Sequence, residues 1–173
     1  KPNIARISLM GGGIAYGNWT CAAEFNILVD PEAADIVFRS GIPITMAGLD
    51  VTEKALIFPE DFERVRAVGN PVARVVADWL EFFYGFHRKL GYAGAPVHDA
   101  VAVAALLRLD LMDSQEMYVQ IETQGEYCRG MTVGDTRGQL GHAPNARVLT
   151  GIDRRGFADL LVEAVSAYDR EGT

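Results

Sequence analysis

Asp30-Pro31-Glu32-Ala33-Ala34-Asp35-Ile36-Val37-Phe38-Arg39-Ser40-Gly41-Ile42-Pro43-Ile44-Thr45-Met46-Ala47-Gly48-Leu49-Asp50 decides how this chain is read. Asp30 offers a helix N-cap, Pro31 fits the first helical position, Glu32 adds an early acid and Ser40-Gly41 closes the turn, so a short helix is expected over 31–40. Ile42 to Asp50 then reads as a strand. Upstream, Ile4-Ala5-Arg6-Ile7-Ser8-Leu9-Met10 is a β-branched run stopped by Gly11-Gly12-Gly13, a buried strand whose C-terminal end opens into a loop. Strand, helix, strand with a right-handed crossover makes a parallel pair. The expected fold class is therefore α/β, with an open, mostly parallel sheet flanked by helices.

Between the two strands lies Glu24-Phe25-Asn26-Ile27. Its polar-apolar alternation, taken as extended chain, puts the Glu24 carboxylate and the Asn26 amide on one side, about 7 Å apart, where they could grip one hydroxyl from two directions. Gly11 to Gly17 (GGGIAYG) matches neither GxGxxG nor a phosphate loop with Lys-Ser/Thr, so a dinucleotide or triphosphate cradle is unsupported. Positive-φ turns and close backbone approach to a ligand both remain open for these glycines. Asp50 and Thr52 end the second strand, where a cap or loop hydrogen bond is favoured over a site role.

Further along, Phe58-Pro59-Glu60 opens a helix to about Val68, and Asn70-Pro71 opens a longer one. In the longer helix Val72, Val75, Val76, Trp79, Phe83, Phe86 and Leu90 recur at helical spacing and read as its core face. Phe82, Tyr84, His87, Arg88 and Tyr92 fall outside that stripe, as a lid over a planar ligand or as half-exposed aromatics. His98 and Asp99 stand at the start of the apolar segment Ala100 to Leu107, where a helix N-terminus favours an ionised carboxylate. Asp99 is there a cap or a site residue, and His98 its partner or a bystander. Met117 to Glu122 and Tyr127 to Val133 read as an antiparallel hairpin, Arg147 to Thr150 as a last strand, and Asp153 as the start of a final helix.

Composition narrows the function classes. The 173 residues, 49% hydrophobic and 23% charged, suit one globular domain with one core. A formal charge of −7, with no basic cluster beyond Arg154-Arg155, opposes a nucleic-acid partner. No apolar run approaches the ~18 residues of a membrane span. Cys21 and Cys128, without metal-type spacing, read as two buried thiols in a reducing, cytoplasmic setting.

Taken together, Met10-Gly11-Gly12-Gly13, Ala23-Glu24-Phe25-Asn26, Asp30-Pro31-Glu32-Ala33-Ala34, Gly48-Leu49-Asp50-Val51-Thr52, Pro96-Val97-His98-Asp99-Ala100 and Arg129-Gly130-Met131-Thr132-Val133 with Asp135 resemble, in order and spacing, the inosine-uridine-preferring nucleoside hydrolases. The resemblance implies hydrolysis of the N-glycosidic bond of a small-molecule ribonucleoside, with a Ca²⁺ ion holding the attacking water and the ribose 2′- and 3′-hydroxyls. Matched by position, Met10, Glu24 and Asn26 would line the ribose, the last two at its 5′-hydroxyl; His98 would assist departure of the base and Asp99 would be a calcium ligand. It also implies a homo-oligomer.

The family's DxDxxxDD cluster, source of most calcium carboxylates and of the general base, is absent from these residues. Residues 1–173 are accordingly expected to be the C-terminal part of a single nucleoside hydrolase-like domain, or a truncated relative, inactive alone. The alternative is a non-catalytic nucleoside-binding or interaction module of the same fold. An oxidoreductase of Rossmann type would need the fingerprint that Gly11 to Gly17 lacks.

Overall fold

The computed structural model describes residues 3–169. In chain order these form β1 (Ile7–Met10), α1 (Phe25–Val29), α2 (Pro31–Phe38), β2 (Ile44–Ala47), α3 (Leu49–Thr52), β3 (Leu56–Ile57), α4 (Pro59–Arg66), α5 (Pro71–Lys89), β4 (Ala95–Pro96), α6 (His98–Leu107), β5 (Met112–Met117), β6 (Val119–Ile121), β7 (Thr132–Gly134), β8 (Ala146–Ile152) and α7 (Arg154–Ser166), with single 3₁₀ turns at 109–111 and 167–169. The chain divides into two compact units. One comprises the residues through Glu53 with His98–Ile152, the other Lys54–Val97 with the residues from Asp153 on.

In the first unit four strands form a sheet in the order β1-β2-β8-β5. β1 pairs with β2 in parallel, Ile7 opposite Ile44 through Met10 opposite Ala47, and β2 pairs with β8 in parallel. β5 runs antiparallel to β8, with a register shift between Asp113 and Ser114. The expected α/β fold with a mostly parallel open sheet is thus present. β2 and β8 lie between neighbours and are the more deeply buried strands of this sheet: Ile44, Met46, Ala146 and Val148 join Ile27, Phe38, Met117, Val119 and Ile121 in one core cluster. Each large member contributes on the order of 1.5–3 kcal/mol by leaving water. α6 lies against β1, where the Ser8 hydroxyl donates to the Ala102 carbonyl at 2.6 Å.

α2 starts where its signals say: Asp30 Oδ1 accepts from Ala33 N at 2.9 Å, and Pro31 needs no hydrogen bond at N1. The strand expected over 42–50 is shorter, because at Gly48 the backbone turns into α3. The expectation for residues 24–27 fails more clearly. Residues 24–27 are not extended: Glu24 caps α1, and Asn26 lies inside that helix, so alternation does not place their side chains together. The expected antiparallel hairpin is present but shorter, β6 pairing with β7 (Gln120 opposite Val133) while 122–131 forms the connecting loop. Both cysteines are exposed rather than buried, and unpaired.

The second unit packs α4, α5 and α7 with the two-residue antiparallel pair β3-β4. α5 buries Ala73, Ala77 and Leu80, not the stripe of large residues assigned to its core face. Trp79 is 69% exposed, Phe82 85% and Phe86 61%. The alanines allow close helix approach while adding little hydrophobic weight, so the bulky side chains dominate the periodic signal without marking the buried face. His87 packs its ring against Phe83, Phe86 and Tyr92, with its Nδ1 at 3.1 Å from the Phe83 carbonyl. Among the described residues Asp61 is the buried charge of this unit. It accepts from Phe58 N (3.1 Å), Arg64 (3.1 Å) and Arg154 (2.5 Å). Burial pushes its carboxyl up, but the Phe58 N–H and the Arg154 and Arg64 guanidiniums outweigh it and leave it below the ordinary aspartate range. Among the described residues no helix is long and apolar enough to cross a membrane.

Candidate functional site

At Met10 the chain leaves the C-terminal end of a parallel strand, the edge at which open α/β sheets gather ligands. The loop that follows has an unusual hydrogen-bond economy. Four consecutive backbone N–H groups are each taken by a side chain from elsewhere: Gly12 N donates to Glu24 Oε2 (2.8 Å), Gly13 N to Thr132 Oγ1 (2.9 Å), Ile14 N to Asp50 Oδ2 (2.7 Å) and Ala15 N to Asp50 Oδ1 (3.0 Å). Successive N–H groups of this kind otherwise make an anion-binding nest. Here two carboxylates and a hydroxyl of the chain occupy them, in keeping with the missing phosphate-loop signature.

Gly12 and Gly13 are required by space. Gly12 has φ +74°, and a Cβ there would come within 2.6 Å of the Thr132 methyl and 2.8 Å of Met46 Cε; at Gly13 a Cβ would meet the Tyr16 carbonyl oxygen at 2.2 Å. Of the two alternatives raised for this run, the positive-φ turn is present at Gly12, and the close neighbours of both glycines are protein atoms.

Glu24, 3% exposed, does two jobs with one carboxylate. Besides Gly12 N, it accepts from Asn26 N at 2.9 Å and Ile27 N at 3.3 Å, capping α1 while holding the loop. Asn26 is exposed, and its Nδ2 donates to the Met10 carbonyl at 3.3 Å and approaches Met10 Sδ at 3.2 Å. Met10, Glu24 and Asn26 are thus brought together, though through a helix cap and not through an extended strand. Asp50 accepts two loop N–H groups, which realises the loop hydrogen bond favoured for it over a site role.

The other two candidate residues open α6. His98 is half-buried, its Nδ1 2.8 Å from the Oγ1 of the fully buried Thr52. Asp99 is exposed in the first turn. α3 connects the two halves of the arrangement: its Asp50 holds the glycine loop and its Thr52 holds His98. For Thr52 the sequence favours a cap or loop hydrogen bond, and its hydroxyl instead meets the His98 ring; Thr132 has no role assigned from the sequence, because a threonine carries no local sign of which distant group it will bind. A bidentate pair of Arg129 with Glu32, at 2.6 and 2.8 Å, ties the loop before β7 to α2, and that hydrogen bond lowers the Glu32 carboxyl below its usual range.

A parallel sheet edge carrying a carboxylate-pinned glycine loop, an asparagine beside it and a His-Asp pair at a helix start places the chain in the broad class of α/β proteins whose ligand sites gather at that edge. The chain belongs to a family within it: the profile described as "Inosine-uridine preferring nucleoside hydrolase" matches residues 1–159. Among relatives, it is 57% identical over 170 residues to the pyrimidine-specific ribonucleoside hydrolase RihA of Shewanella baltica, covering 97% of this chain and 54% of the relative. The Escherichia coli protein of the same name is 56% identical over 167 residues, with 95% and 54% covered. The solved structure of a purine-preferring ribonucleoside hydrolase from Gardnerella vaginalis superposes with a TM-score of 0.83 at 32% identity, over 94% of this chain and 52% of the other. The chain spans about half the length of the curated relatives it matches.

Proposed function

We propose that this chain forms part of an enzyme that hydrolyses the N-glycosidic bond of ribonucleosides, and that pyrimidine nucleosides are its preferred substrates. The observation that carries this reading is the cluster of Met10, Glu24 and Asn26 at the end of β1. The pyrimidine preference is supported by the 57% identity to a protein named for it, against 32% to a purine-preferring one. In this reading Asn26 contacts the ribose 5′-hydroxyl. A carboxylate has about four lone-pair sites, and Glu24 spends three on backbone N–H groups, so one acceptor position is left for the same hydroxyl. The transition state for losing the base is oxocarbenium-like, so a fixed carboxylate nearby favours its positive charge. His98 would assist the leaving base, with Thr52 fixing the orientation of its ring.

Calcium is the cofactor the resemblance implies, with Asp99 as one ligand. Ca²⁺ takes six to eight oxygens, whereas no group of three or more His, Cys, Asp or Glu that could hold a metal occurs among the described residues. These residues do not by themselves fit the ion. A homo-oligomer would give the uncovered row on α5 a partner, and the two exposed free cysteines suit a reducing, cytoplasmic compartment.

The test is release of free base from uridine and inosine with added Ca²⁺, by the chain alone and by the chain combined with a polypeptide carrying the DxDxxxDD segment. The expected result is no turnover by the chain alone and calcium-dependent turnover by the combination, faster on uridine. Nucleoside binding without turnover in the combination would instead favour a non-catalytic binding module, and inosine preferred over uridine would refute the pyrimidine assignment.

A further inference from the structure

We propose that Thr132, on β7, is a positioning residue for Met10 and Asn26: it fixes the Gly12-Gly13 backbone and through it the geometry at the end of β1. The inference rests on reading the Met10–Glu24–Asn26 cluster as the sugar site, and adds a residue that would never touch the sugar. Thr132 is 1% exposed and 119 positions from Gly13. Its hydroxyl makes a two-way bond, accepting from Gly13 N at 2.9 Å and donating to Gly13 O at 2.7 Å, the exchange that a neighbouring strand would otherwise make with this residue. Its methyl forms the wall against which Gly12 turns. Both branches of the side chain are therefore used.

The residue is itself held in a frame. Thr132 pairs with Ile121 across β6-β7, the Glu122 N–H donates to the Met131 carbonyl at 3.0 Å, and the Gly130 N–H donates to the Glu122 carbonyl at 2.7 Å. From the opposite side Glu24 takes the N–H of Gly12. The Gly12-Gly13 link is gripped at both ends, by the helix that carries Asn26 and by the hairpin that carries Thr132. Only Gly11 separates it from Met10, whose carbonyl receives the Asn26 side chain. Releasing one grip lets the link rotate, and the first contact to feel that rotation is Asn26 on Met10.

The experiment compares wild type, Thr132→Val and Thr132→Ser in this chain by NMR, following amide hydrogen exchange at Gly13, the Asn26 side-chain amide signals and uridine titration, with exchange at Val148 and Ala104 as controls. Val keeps the wall and loses the hydroxyl. It should speed exchange at Gly13 about tenfold, the weight of one net hydrogen bond, shift the Asn26 signals and weaken uridine binding by a similar factor, with Val148 and Ala104 unchanged. Ser should restore Gly13 protection and uridine binding. Unchanged Gly13 exchange and Asn26 signals in the Val variant would overturn the inference, as would an equal rise at Val148, which marks a merely structural role. If the Val variant does not fold, the Ser variant decides, because loss of Gly13 protection with the hydroxyl present would rule out the proposed grip. Should wild type fail to bind uridine while Gly13 and Asn26 respond as expected, the nucleoside reading falls and the positioning role stands.

Discussion

Replacing Glu24 by Gln keeps the size of the side chain but removes its charge and turns one acceptor into a donor. In the native arrangement Oε2 accepts from Gly12 N at 2.8 Å and Ile27 N at 3.3 Å, and Oε1 from Asn26 N at 2.9 Å. A glutamine must choose. With its oxygen at the Oε2 position, its NH₂ faces the Asn26 N–H; in the other orientation the NH₂ faces both Gly12 and Ile27. The first arrangement is cheaper and still sets two donors against each other beside a 3% exposed group. Hydrogen bonds to a charged group contribute about 1.5–3 kcal/mol net, and a lost N-cap costs about 1 kcal/mol. Glu24→Gln should therefore destabilise the first unit by about 2–4 kcal/mol. At about 2–4 °C per kcal/mol for a chain of this size, the melting temperature should fall by roughly 5–15 °C. Thermal circular dichroism measures the shift, and amide exchange at Gly12 places it in the loop. A melting point within about 1 °C of wild type, with Gly12 as protected as before, would refute the view that this carboxylate is the anchor of the loop.

Three further outcomes follow from the same geometry. Asn26→Ala should weaken nucleoside binding by about 1–3 kcal/mol through loss of a hydrogen bond, and 5′-deoxyuridine titrated against both proteins should show nearly equal affinities; an undiminished gap would move Asn26 away from the 5′ position. Gly12→Ala places a Cβ at φ +74° and 2.6 Å from the Thr132 methyl; left-handed strain and overpacking together should cost about 2–4 kcal/mol, read in urea unfolding. For Asp61 the sign follows from its lowered folded-state value: its contribution is fully present above the unfolded value of about 3.9 and is lost as pH falls through the lower folded value. Acid titration of the helical unit should thus show a loss of stability below about pH 4 that Asp61→Ala lacks, the variant being about 3 kcal/mol less stable at pH 7, the lower end for breaking a buried pair because its arginine partners keep some water.

Much of the second unit's architecture was legible one element at a time and misjudged in orientation. The sequence marks where α5 begins, at Asn70-Pro71, because Asn70 Oδ1 caps Ala73 N at 2.7 Å, a contact three residues away. It does not mark which face of α5 is buried. That is decided by whether a neighbour can come close to Ala73 and Ala77, a matter of packing and not of hydrophobic weight. β5 shows the converse. Met112-Asp113-Ser114-Gln115-Glu116-Met117 has no strand signature, yet it pairs with β8 from Met112 opposite Ile152 to Met117 opposite Ala146. A strand at the sheet margin with its middle four residues exposed needs only backbone complementarity.

At the candidate site the division falls along sequence separation. By itself the sequence determined β1, α2 and β2, their order and their parallel pairing, because caps, a proline, glycine stops and apolar runs act within a few residues and a right-handed crossover does the rest. It also placed Met10, Glu24, Asn26, His98 and Asp99 among the residues to watch. Only the tertiary structure decided that Glu24 is a helix cap turned back onto Gly12, that Asp50 binds the N–H groups of Ile14 and Ala15, that Thr52 holds His98, and that Thr132 closes on Gly13 across 119 residues. Those bonds form between groups with no local preference for one another. They exist because the sheet and helices, once packed on a common core, bring these side chains within reach of polar groups that need partners, four of them the backbone N–H groups of the glycine loop.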